Sequence, residues 1–306
     1  MARPLRIEFE NAFYHVFNRG LEKREIFKSK ADYEAFLKIL TLLQVRFAVK
    51  IHSYCLMPNH YHLFVETPKP NLSRFMRELN GSYTQSFNRS YNRVGPLFQG
   101  RFKAILVDQD NYALELSRYI HLNPVKAKIS ELAQDYPWSS YAFFVGNKKK
   151  PEFLGTDFIL SQFKDLKAFK QFTHEGLAKQ WDPLKSCEGG SLLGSKEFIE
   201  LVKEKFLPKE KNSSIANLKA LQKPNDLTSI KQKVSSMASG DTHRRKLLVH
   251  ALKTYTSLSL KEIALQLGDN LSEPAISQIN RRFVEEDKAR GYRDVNRLKV
   301  LLNVKT

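Results

Sequence analysis

The sequence is poor in cysteine and has no long hydrophobic run. Only two of its 306 residues are cysteines, Cys55 and Cys187, far apart and in unlike contexts. Neither belongs to a Cys-x-x-Cys or Cys/His spacing, which argues against a zinc site. No segment approaches the length of a membrane span, and the amino terminus carries no apolar signal core. We therefore expect a soluble protein in the reducing cytoplasm, with Cys55 as a small buried residue.

Acidic residues are outnumbered by basic ones in both halves of the chain. The sequence has 50 Lys and Arg against 32 Asp and Glu, a net charge of +18, and its isoelectric point is about 9.7. An excess of basic residues in both halves indicates that the protein contacts a polyanion along its whole length rather than through one tail. A membrane surface is disfavoured because no basic amphipathic segment lies beside an apolar anchor. Nucleic acid is the favoured partner.

The strongest chemical signal is a pair of histidines separated by one residue. His60 and His62 begin a run of alternating aromatic and β-branched residues that predicts a strand over residues 60–66. Alternate strand residues share a face, so the two imidazoles project together, about 7 Å apart, and can bind one divalent cation. Tyr61 is expected to point into a core. Considered alone, the pair is better explained as part of a solvated strand face, and it needs a partner elsewhere in the chain.

A second signal lies about sixty residues further on. Residues 111–123 show helical periodicity, and Pro124 is expected to end that helix. Tyr119 and Asn123 are four residues apart and therefore share a helix face. The amide oxygen of Asn123 can complete the ligand set of the histidine pair while the phenol of Tyr119 attacks a phosphodiester. The alternative is a core tyrosine and an ordinary helix end. His121 is interpreted as structural.

Together these motifs resemble a known family. The His60–His62 pair resembles the HUH motif of single-tyrosine transposases, and residues 117–127 resemble the nucleophile helix of that family. Asparagine at position 123, where other members have glutamine, is typical of the REP-associated tyrosine transposases. Residues 14–20, 53–59 and 138–141 agree with the family in order and spacing. The resemblance covers roughly residues 5–145.

The resemblance implies a fold and a reaction. The fold is α+β, a ferredoxin-like antiparallel sheet with helices, known as the HUH endonuclease fold. The reaction is cleavage and rejoining of single-stranded DNA through a covalent 5′-phosphotyrosine on Tyr119. His60, His62 and Asn123 would hold Mg²⁺ or Mn²⁺. The expected substrate is a short hairpin, such as a repetitive extragenic palindrome, with a recognised tetranucleotide beside it.

The predicted elements divide the chain into three parts. Residues 1–150 alternate strands and helices, which independently indicates a compact α+β domain. The family resemblance implies that this is the single-tyrosine transposase or nuclease domain. Residues 151–240 form a less regular connecting region, with helices predicted over 158–173 and 196–206 and a polar stretch over 209–232. Residues 241–306 are mainly helical.

The last part has the pattern of a helix-turn-helix. Ser259 and Glu262 form a capping box for a short helix that Gly268 ends, and a second helix begins near Ser272. This arrangement resembles the duplex-binding domain of the replication initiator DnaA, although a plain helical bundle is an alternative. The side chains expected to face a groove or phosphates are Ser277, Gln278, Asn280, Arg281 and Arg282.

Further contacts to DNA are predicted in the first domain. The helix over residues 72–91 and the segments after it present basic groups for phosphates and aromatic rings for unpaired bases. Each of these residues, taken alone, is more often an ordinary solvated side chain. The candidates are Arg74, Arg77, Tyr83, Arg89, Arg93, Arg101 and Lys103.

Three functions are compatible with these patterns. The favoured one is a DNA nuclease and strand transferase, acting as a monomer or a homodimer. The second is a non-catalytic, sequence-specific DNA-binding regulator of repetitive elements. The third is a hydrolase that uses water. A covalent protein–DNA adduct distinguishes the first from the other two.

Overall fold

The computed structural model describes most of the chain, namely residues 6–179, 181–207, 227–238, 240–256, 258–268 and 271–301. Residues 6–204 form one compact unit, and the described residues from 205 onward belong to a second. The polar stretch predicted over 209–232 falls largely outside the described residues.

The first unit is built on a five-stranded sheet in the order β2-β3-β1-β4-β5. Its strands are β1 (Ala12–Arg19), β2 (Lys50–Met57), β3 (His60–Thr67), β4 (Lys103–Val107) and β5 (Leu192–Leu193). The first four pair antiparallel, which confirms the predicted α+β architecture, while β5 adds a short parallel pair to β4. The sequence does not predict β5, because two residues are too few to show an alternating pattern.

Helices cover both faces of this sheet. The long ones are α1 (Lys30–Phe47), α2 (Leu72–Ser90) and α3 (Gln109–Lys126). The shorter ones are α4 (Tyr141–Phe144), α5 (Asp157–Leu160), α6 (Leu166–Glu175), α7 (Pro183–Ser186) and α8 (Lys196–Phe206). Tyr61 is fully buried, and its hydroxyl donates to Asn80 Oδ1 of α2 at 2.6 Å. Helix α2 therefore lies on the face opposite the two histidines.

The strand register brings the chemical groups to one face. Phe17 of β1 lies opposite His62 of β3 and also opposite Lys103 of β4, and Arg19 lies opposite His60. Because side chains alternate along a strand, these residues and His15 share one face. Helix α3 packs on this face.

Helix α3 continues past Pro124, so the prediction that this proline ends the helix was wrong. Proline has no N–H for the bond to residue 120, but the last turn closes around it through Ala127 N–H to Asn123 O at 2.9 Å. The residue before a proline is disfavoured in the α region rather than excluded from it. Asn123 is consequently inside a helix and not at its end.

Other segments cover the outer sides of β2 and of the end of β4. On β2, Leu56 N–H donates to Trp138 O at 2.9 Å and Leu56 O accepts from the Tyr136 hydroxyl at 2.7 Å. Ser140 N–H donates to Tyr54 O at 2.9 Å on the same edge. On the other side, β5 bonds to the backbone of β4. These segments satisfy backbone groups that an open edge exposes.

The first compact unit extends beyond residue 150, where the sequence placed a boundary. The helix predicted over 158–173 is divided into α5 and α6. Phe169 of α6 is buried, with its ring centroid 5.4 Å from that of Phe144 and 6.3 Å from that of His121. Burial of these aromatic rings joins α6 to the rest of the unit, because removal of apolar surface from water drives such packing.

The second unit is helical, as predicted. Its helices are α9 (Leu227–Met237), α10 (Asp241–Tyr255), α11 (Leu260–Leu267), α12 (Glu273–Ala289) and α13 (Arg293–Leu301). They enclose a core that includes Leu247, Ile263 and Phe283. The predicted capping box is present, since Ser259 N–H donates to Glu262 Oε2 at 2.7 Å. Within the described ranges of the chain, no helix combines the length and apolarity that a membrane span needs.

Candidate active site

The two histidines of β3 line a cavity beneath α3. The ring centroids of His60 and His62 are 5.0 Å apart, and the ring planes are nearly perpendicular. The cavity has a volume of about 500 Å³ and is also lined by Tyr119 and Asn123. The four residues singled out in the sequence therefore meet in one place, although the tyrosine is about sixty residues from the histidines along the chain.

Asn59 determines which nitrogen of His60 is free. Asn59 Nδ2 donates to Lys23 O at 3.1 Å, which leaves the amide oxygen 2.6 Å from His60 Nδ1. A carbonyl oxygen only accepts, so the proton of His60 is on Nδ1 and the Nε2 lone pair is free. Burial, followed by the charge of Arg19, lowers the pKa of His60 to about 4. The ring is therefore neutral at neutral pH, the form that binds metal.

His62 is held in a similar way by another histidine. Its Nδ1 lies 2.8 Å from Nε2 of His15, and both rings are almost fully buried. Burial, followed by the proximity of His15 and His60, holds the pKa of His62 well below its usual value. Burial also lowers the pKa of His15 to about 3. His62 is thus a neutral imidazole whose Nδ1 is engaged.

Helix α3 carries the candidate nucleophile. The ring of Tyr119 lies edge-on to His62, with 5.8 Å between the ring centroids. Burial and then the negative charge of Asp182 raise the pKa of Tyr119 to about 12, while the side chain of Asn123 acts in the opposite direction. The phenol is consequently protonated at neutral pH, and its attack on a phosphate requires assistance in losing that proton.

Asn123 supplies an amide oxygen to the same cavity. Its Nδ2 donates to the backbone oxygen of Tyr119 at 2.9 Å, so the amide oxygen takes no part in that bond. Among the described residues no cluster of three or more His, Cys, Asp or Glu could hold a metal. Two neutral imidazoles and one amide oxygen are nevertheless ligands that a divalent cation accepts. The three predicted residues fit such an ion.

Of the six basic residues predicted to contact DNA in the first domain, two line the cavity and four do not. Arg101 and Lys103 line it. Helix α2, by contrast, packs on the opposite face of the sheet, so its exposed arginines point away from Tyr119. These are Arg74, Arg77 and Arg89. Arg93 follows α2, and its guanidinium lies 5.7 Å from the ring of Phe87.

Tyr83 was predicted to stack on DNA bases, and this was wrong. Its side chain is 1% exposed, its hydroxyl donates to Ile26 O, and its ring lies 5.1 Å from that of Phe36. Tyr83 follows Leu79 and precedes Phe87 at four-residue spacing, which places it on the inward stripe of α2. That periodicity was visible in the sequence.

The predicted recognition residues of the second unit differ in their environments. Gln278, Arg281 and Arg282 are exposed, and Ser277 is half-buried. Asn280 was expected to face a groove, but its Oδ1 lies 3.0 Å from Nδ1 of His250 on α10. This contact directs Asn280 toward the neighbouring helix, because a partly buried amide is stabilised by an internal hydrogen bond.

Several residues of the cavity were not singled out in the sequence. Phe17 and Arg19 of β1 line the cavity, and His15 of the same strand contacts His62 without lining it. The alternation of these residues in the stretch 14–20 was a usable signal. Leu184 of α7 also lines the cavity, and Trp181 lies edge-on to Tyr119 with ring centroids 6.0 Å apart. Nothing in the local sequence relates residues 181–184 to the nucleophile.

One family model matches part of the first unit. Residues 8–123 match the family model described as Transposase IS200 like. The family expected from the sequence is confirmed for this region. The matched region contains His60, His62, Tyr119 and Asn123.

One named relative also matches part of the chain. The chain is 30% identical over 98 residues to a putative REP-associated tyrosine transposase of Haemophilus influenzae, which covers 28% of this chain and 56% of the relative. The chain thus spans about half the length of that relative.

Two solved structures are similar at lower identity. One is a REP-associated tyrosine transposase bound to a REP hairpin, with 17% identity and a TM-score of 0.42, covering 51% of this chain and 92% of that one. The other is a putative transposase from Deinococcus radiodurans, with 16% identity and a TM-score of 0.29, covering 39% of this chain and 95% of that one.

Proposed function

We propose that the chain is a single-stranded DNA endonuclease and strand transferase that forms a covalent link through Tyr119. One observation carries this proposal. The phenol of Tyr119 shares a cavity with two neutral imidazoles, an amide oxygen and the two basic side chains of Arg101 and Lys103. The family match over residues 8–123 supports the same conclusion.

The reaction is a transesterification. The Tyr119 oxygen attacks phosphorus as the phenol proton is released, and the bond from phosphorus to the 3′-oxygen breaks. The 3′-oxygen leaves with the electron pair and takes up a proton, which gives a 5′-phosphotyrosine and a free 3′-hydroxyl. Arg101 and Lys103 neutralise charge on the DNA backbone beside the scissile phosphate. One phosphoester bond replaces another, so the reverse attack rejoins a strand without ATP.

His60, His62 and Asn123 would hold a Mg²⁺ or Mn²⁺ ion in this cavity. When bound, the cation polarises the scissile phosphate and offsets the poor nucleophilicity of a phenol with a raised pKa. The role of the protein groups is to keep both imidazoles neutral and their Nε2 atoms available.

The substrate we propose is a DNA hairpin of the kind formed by a short imperfect palindrome. The solved relative bound to a REP hairpin motivates this choice of probe. Trp181 beside Tyr119 provides an aromatic side chain against which an unpaired base can pack.

The test is a covalent adduct assay. Labelled hairpin oligonucleotides from the flanks of the gene are incubated with Mn²⁺ and separated on denaturing gels. We expect an adduct with wild type and none with Tyr119→Phe, which removes only the hydroxyl. His60→Ala is expected to lower the adduct yield by at least about 100-fold, as for loss of a metal-assisted step.

Two results count against the proposal. A metal-dependent adduct that persists in Tyr119→Phe rules out this nucleophile. Hairpin binding that is unchanged in Tyr119→Phe and His60→Ala, with no cleavage by wild type, favours the DNA-binding regulator instead.

For the second unit we propose duplex binding through Gln278, Arg281 and Arg282 on α12. Their exposure on one helix supports this role, since Arg side chains contact phosphates and base edges. Arg281→Gln with Arg282→Gln should weaken retention of a hairpin with a duplex flank and leave binding of an unpaired oligonucleotide unchanged. Equal loss for both probes contradicts the assignment.

A further inference from the structure

His15 is a fully buried histidine outside the proposed ligand set. Strand β1 places it on the sheet face toward α3, and its ring stacks on that of His62, with centroids 5.1 Å apart and planes inclined by 20°. The other rings beside it are those of Phe17 at 5.0 Å and Tyr119 at 6.0 Å. A polar ring in such surroundings needs a hydrogen-bond partner, and His62 supplies one.

The 2.8 Å contact between His15 Nε2 and His62 Nδ1 has two possible directions. If His15 donates, His62 carries its own proton on Nε2 and has no lone pair there for a cation. If His62 donates from Nδ1, its Nε2 lone pair is free. Only the second direction allows His62 to bind a cation from the cavity side through Nε2.

We propose that His15 is a positioning residue for His62. It accepts the Nδ1 proton of His62, which fixes both the tautomer and the ring plane of that ligand. The inference rests on the proposed function, because it takes His62 as a metal ligand. Asn59 has the same relation to His60, so each imidazole has an orienting partner of its own. Such partners raise ligand basicity and hold the ring in place.

The other nitrogen of His15 shows that the residue is not optimised for stability. In this direction of donation His15 carries its proton on Nδ1, and that atom is buried without a hydrogen-bond partner among the described residues. A buried unpaired donor destabilises a fold. An apolar side chain at this position would offer no acceptor, whereas His15 Nε2 supplies the acceptor that the orientation of His62 requires.

Metal binding in the absence of DNA tests this role. Mn²⁺ is titrated into the full chain, and free Mn²⁺ is followed by electron paramagnetic resonance. The variants are His15→Leu, which removes the acceptor, and His15→Gln, whose amide oxygen replaces Nε2. His121→Leu is the matched control, because His121 is also fully buried but contacts Ser140 Oγ at 2.9 Å, away from the cavity.

We expect His15→Leu to raise the Mn²⁺ dissociation constant by about 10- to 100-fold, as for loss of other orienting partners. His15→Gln should retain affinity within about threefold of wild type, and His121→Leu should match wild type. The thermal midpoint of His15→Leu without metal should stay close to that of wild type. Equal Mn²⁺ affinity in wild type and His15→Leu overturns the inference.

Nitrogen NMR gives a second readout that does not depend on these variants. In wild type loaded with Zn²⁺, a diamagnetic cation, the ¹⁵N shifts of His15 should show a protonated Nδ1 and a bare Nε2. The opposite tautomer overturns the inference while leaving the metal site intact. Absence of any Mn²⁺ or Zn²⁺ binding by wild type overturns the proposed metal site itself.

Discussion

At the scale of single residues, Glu66 is a buried carboxylate that neighbouring side chains stabilise in its charged form. Its carboxylate lies on β3, 2.7 Å from Lys50 Nζ and 3.1 Å from His52 Nε2, and the residue is 7% exposed. Burial acts to raise its pKa, but the hydrogen bonds from His52 and Lys50 outweigh burial and lower it. The ionised form is therefore more favourable in the folded than in the unfolded chain.

A carboxylate with a lowered pKa stabilises a fold above its unfolded pKa and ceases to do so as the pH falls through the folded value. We expect Glu66→Gln to reduce the unfolding free energy of the first unit by about 1–2 kcal/mol at pH 7. The difference should shrink below about pH 4, where the unfolded carboxyl is protonated. Urea unfolding at both pH values measures this.

The control for Glu66 is Glu34, whose ion pair with Lys30 at 3.5 Å is exposed. Glu34→Gln should change stability little at either pH, since exposed pairs contribute little. A pH-independent loss in Glu66→Gln would show that packing and not charge makes the difference.

At the scale of elements, helix α3, which carries Tyr119, packs against residues that lie outside the region of the family match. Arg118 is buried, its Nη1 donates to Phe172 O at 3.0 Å, and its guanidinium lies 4.2 Å from the Phe172 ring centroid. At the start of α3, Asp108 accepts from Ser195 N–H at 3.0 Å. The segment that follows residue 150 thus fixes the helix that carries the nucleophile.

Gly176 is the position where this packing is tightest. A Cβ there would lie 2.5 Å from Arg118 Cδ and 2.8 Å from Leu122 Cδ1. Its φ of −67° is accessible to any residue, so the effect of substitution is steric. We expect Gly176→Ala to lower the unfolding free energy by about 1–3 kcal/mol, as for overpacking in other cores. Thermal or urea unfolding measures it.

Gly81 provides the matched control in a helix. A Cβ at this position meets nothing within 4 Å, so Gly81→Ala should stabilise α2 by up to about 1 kcal/mol through helix propensity. If both alanine variants are stabilised, the packing of Gly176 against Arg118 leaves room for a methyl group and the steric argument is wrong.

The elements that carry periodic patterns were predictable from sequence, and those held by distant contacts were not. The pattern of alternating residues indicated β3, and helical spacing indicated α3 and α2. The same spacing also placed Tyr83 in the core, although its aromatic ring suggested stacking on DNA. No local pattern indicated β5, because its two residues are a strand only through pairing with β4.

The candidate site was predictable where chemistry and spacing coincide. Few functions need a histidine pair together with a tyrosine and an asparagine four residues apart. That combination pointed to His60, His62, Tyr119 and Asn123. Trp181 was not, since its position beside Tyr119 depends on how residues after 150 fold back on α3. Tertiary contacts of this kind leave no periodic signal in the chain.

At the scale of the whole molecule, all proposed catalytic groups belong to one chain. The rings of His62 and Tyr119 lie 5.8 Å apart without contribution from another copy. We expect a mixture of His60→Ala and Tyr119→Phe to form no more adduct than either variant alone, because each chain then lacks one group. The adduct assay on denaturing gels measures this.

Mixtures of each variant with wild type serve as controls for inhibition by mixed assembly. Recovery of adduct in the mixture of the two variants, growing with protein concentration, would show that histidines and tyrosine act from different copies.

The covered sheet edges have a consequence for how copies can associate. An open edge strand is a template for pairing with another chain, and through it for domain exchange or aggregation. Here Tyr54 and Leu56 on one edge already bond to residues 136–140, and β5 occupies the backbone of β4 on the other. Pairing of the first unit with another copy through β2 or the end of β4 would first have to displace these segments, so a long continuous sheet shared between molecules is disfavoured.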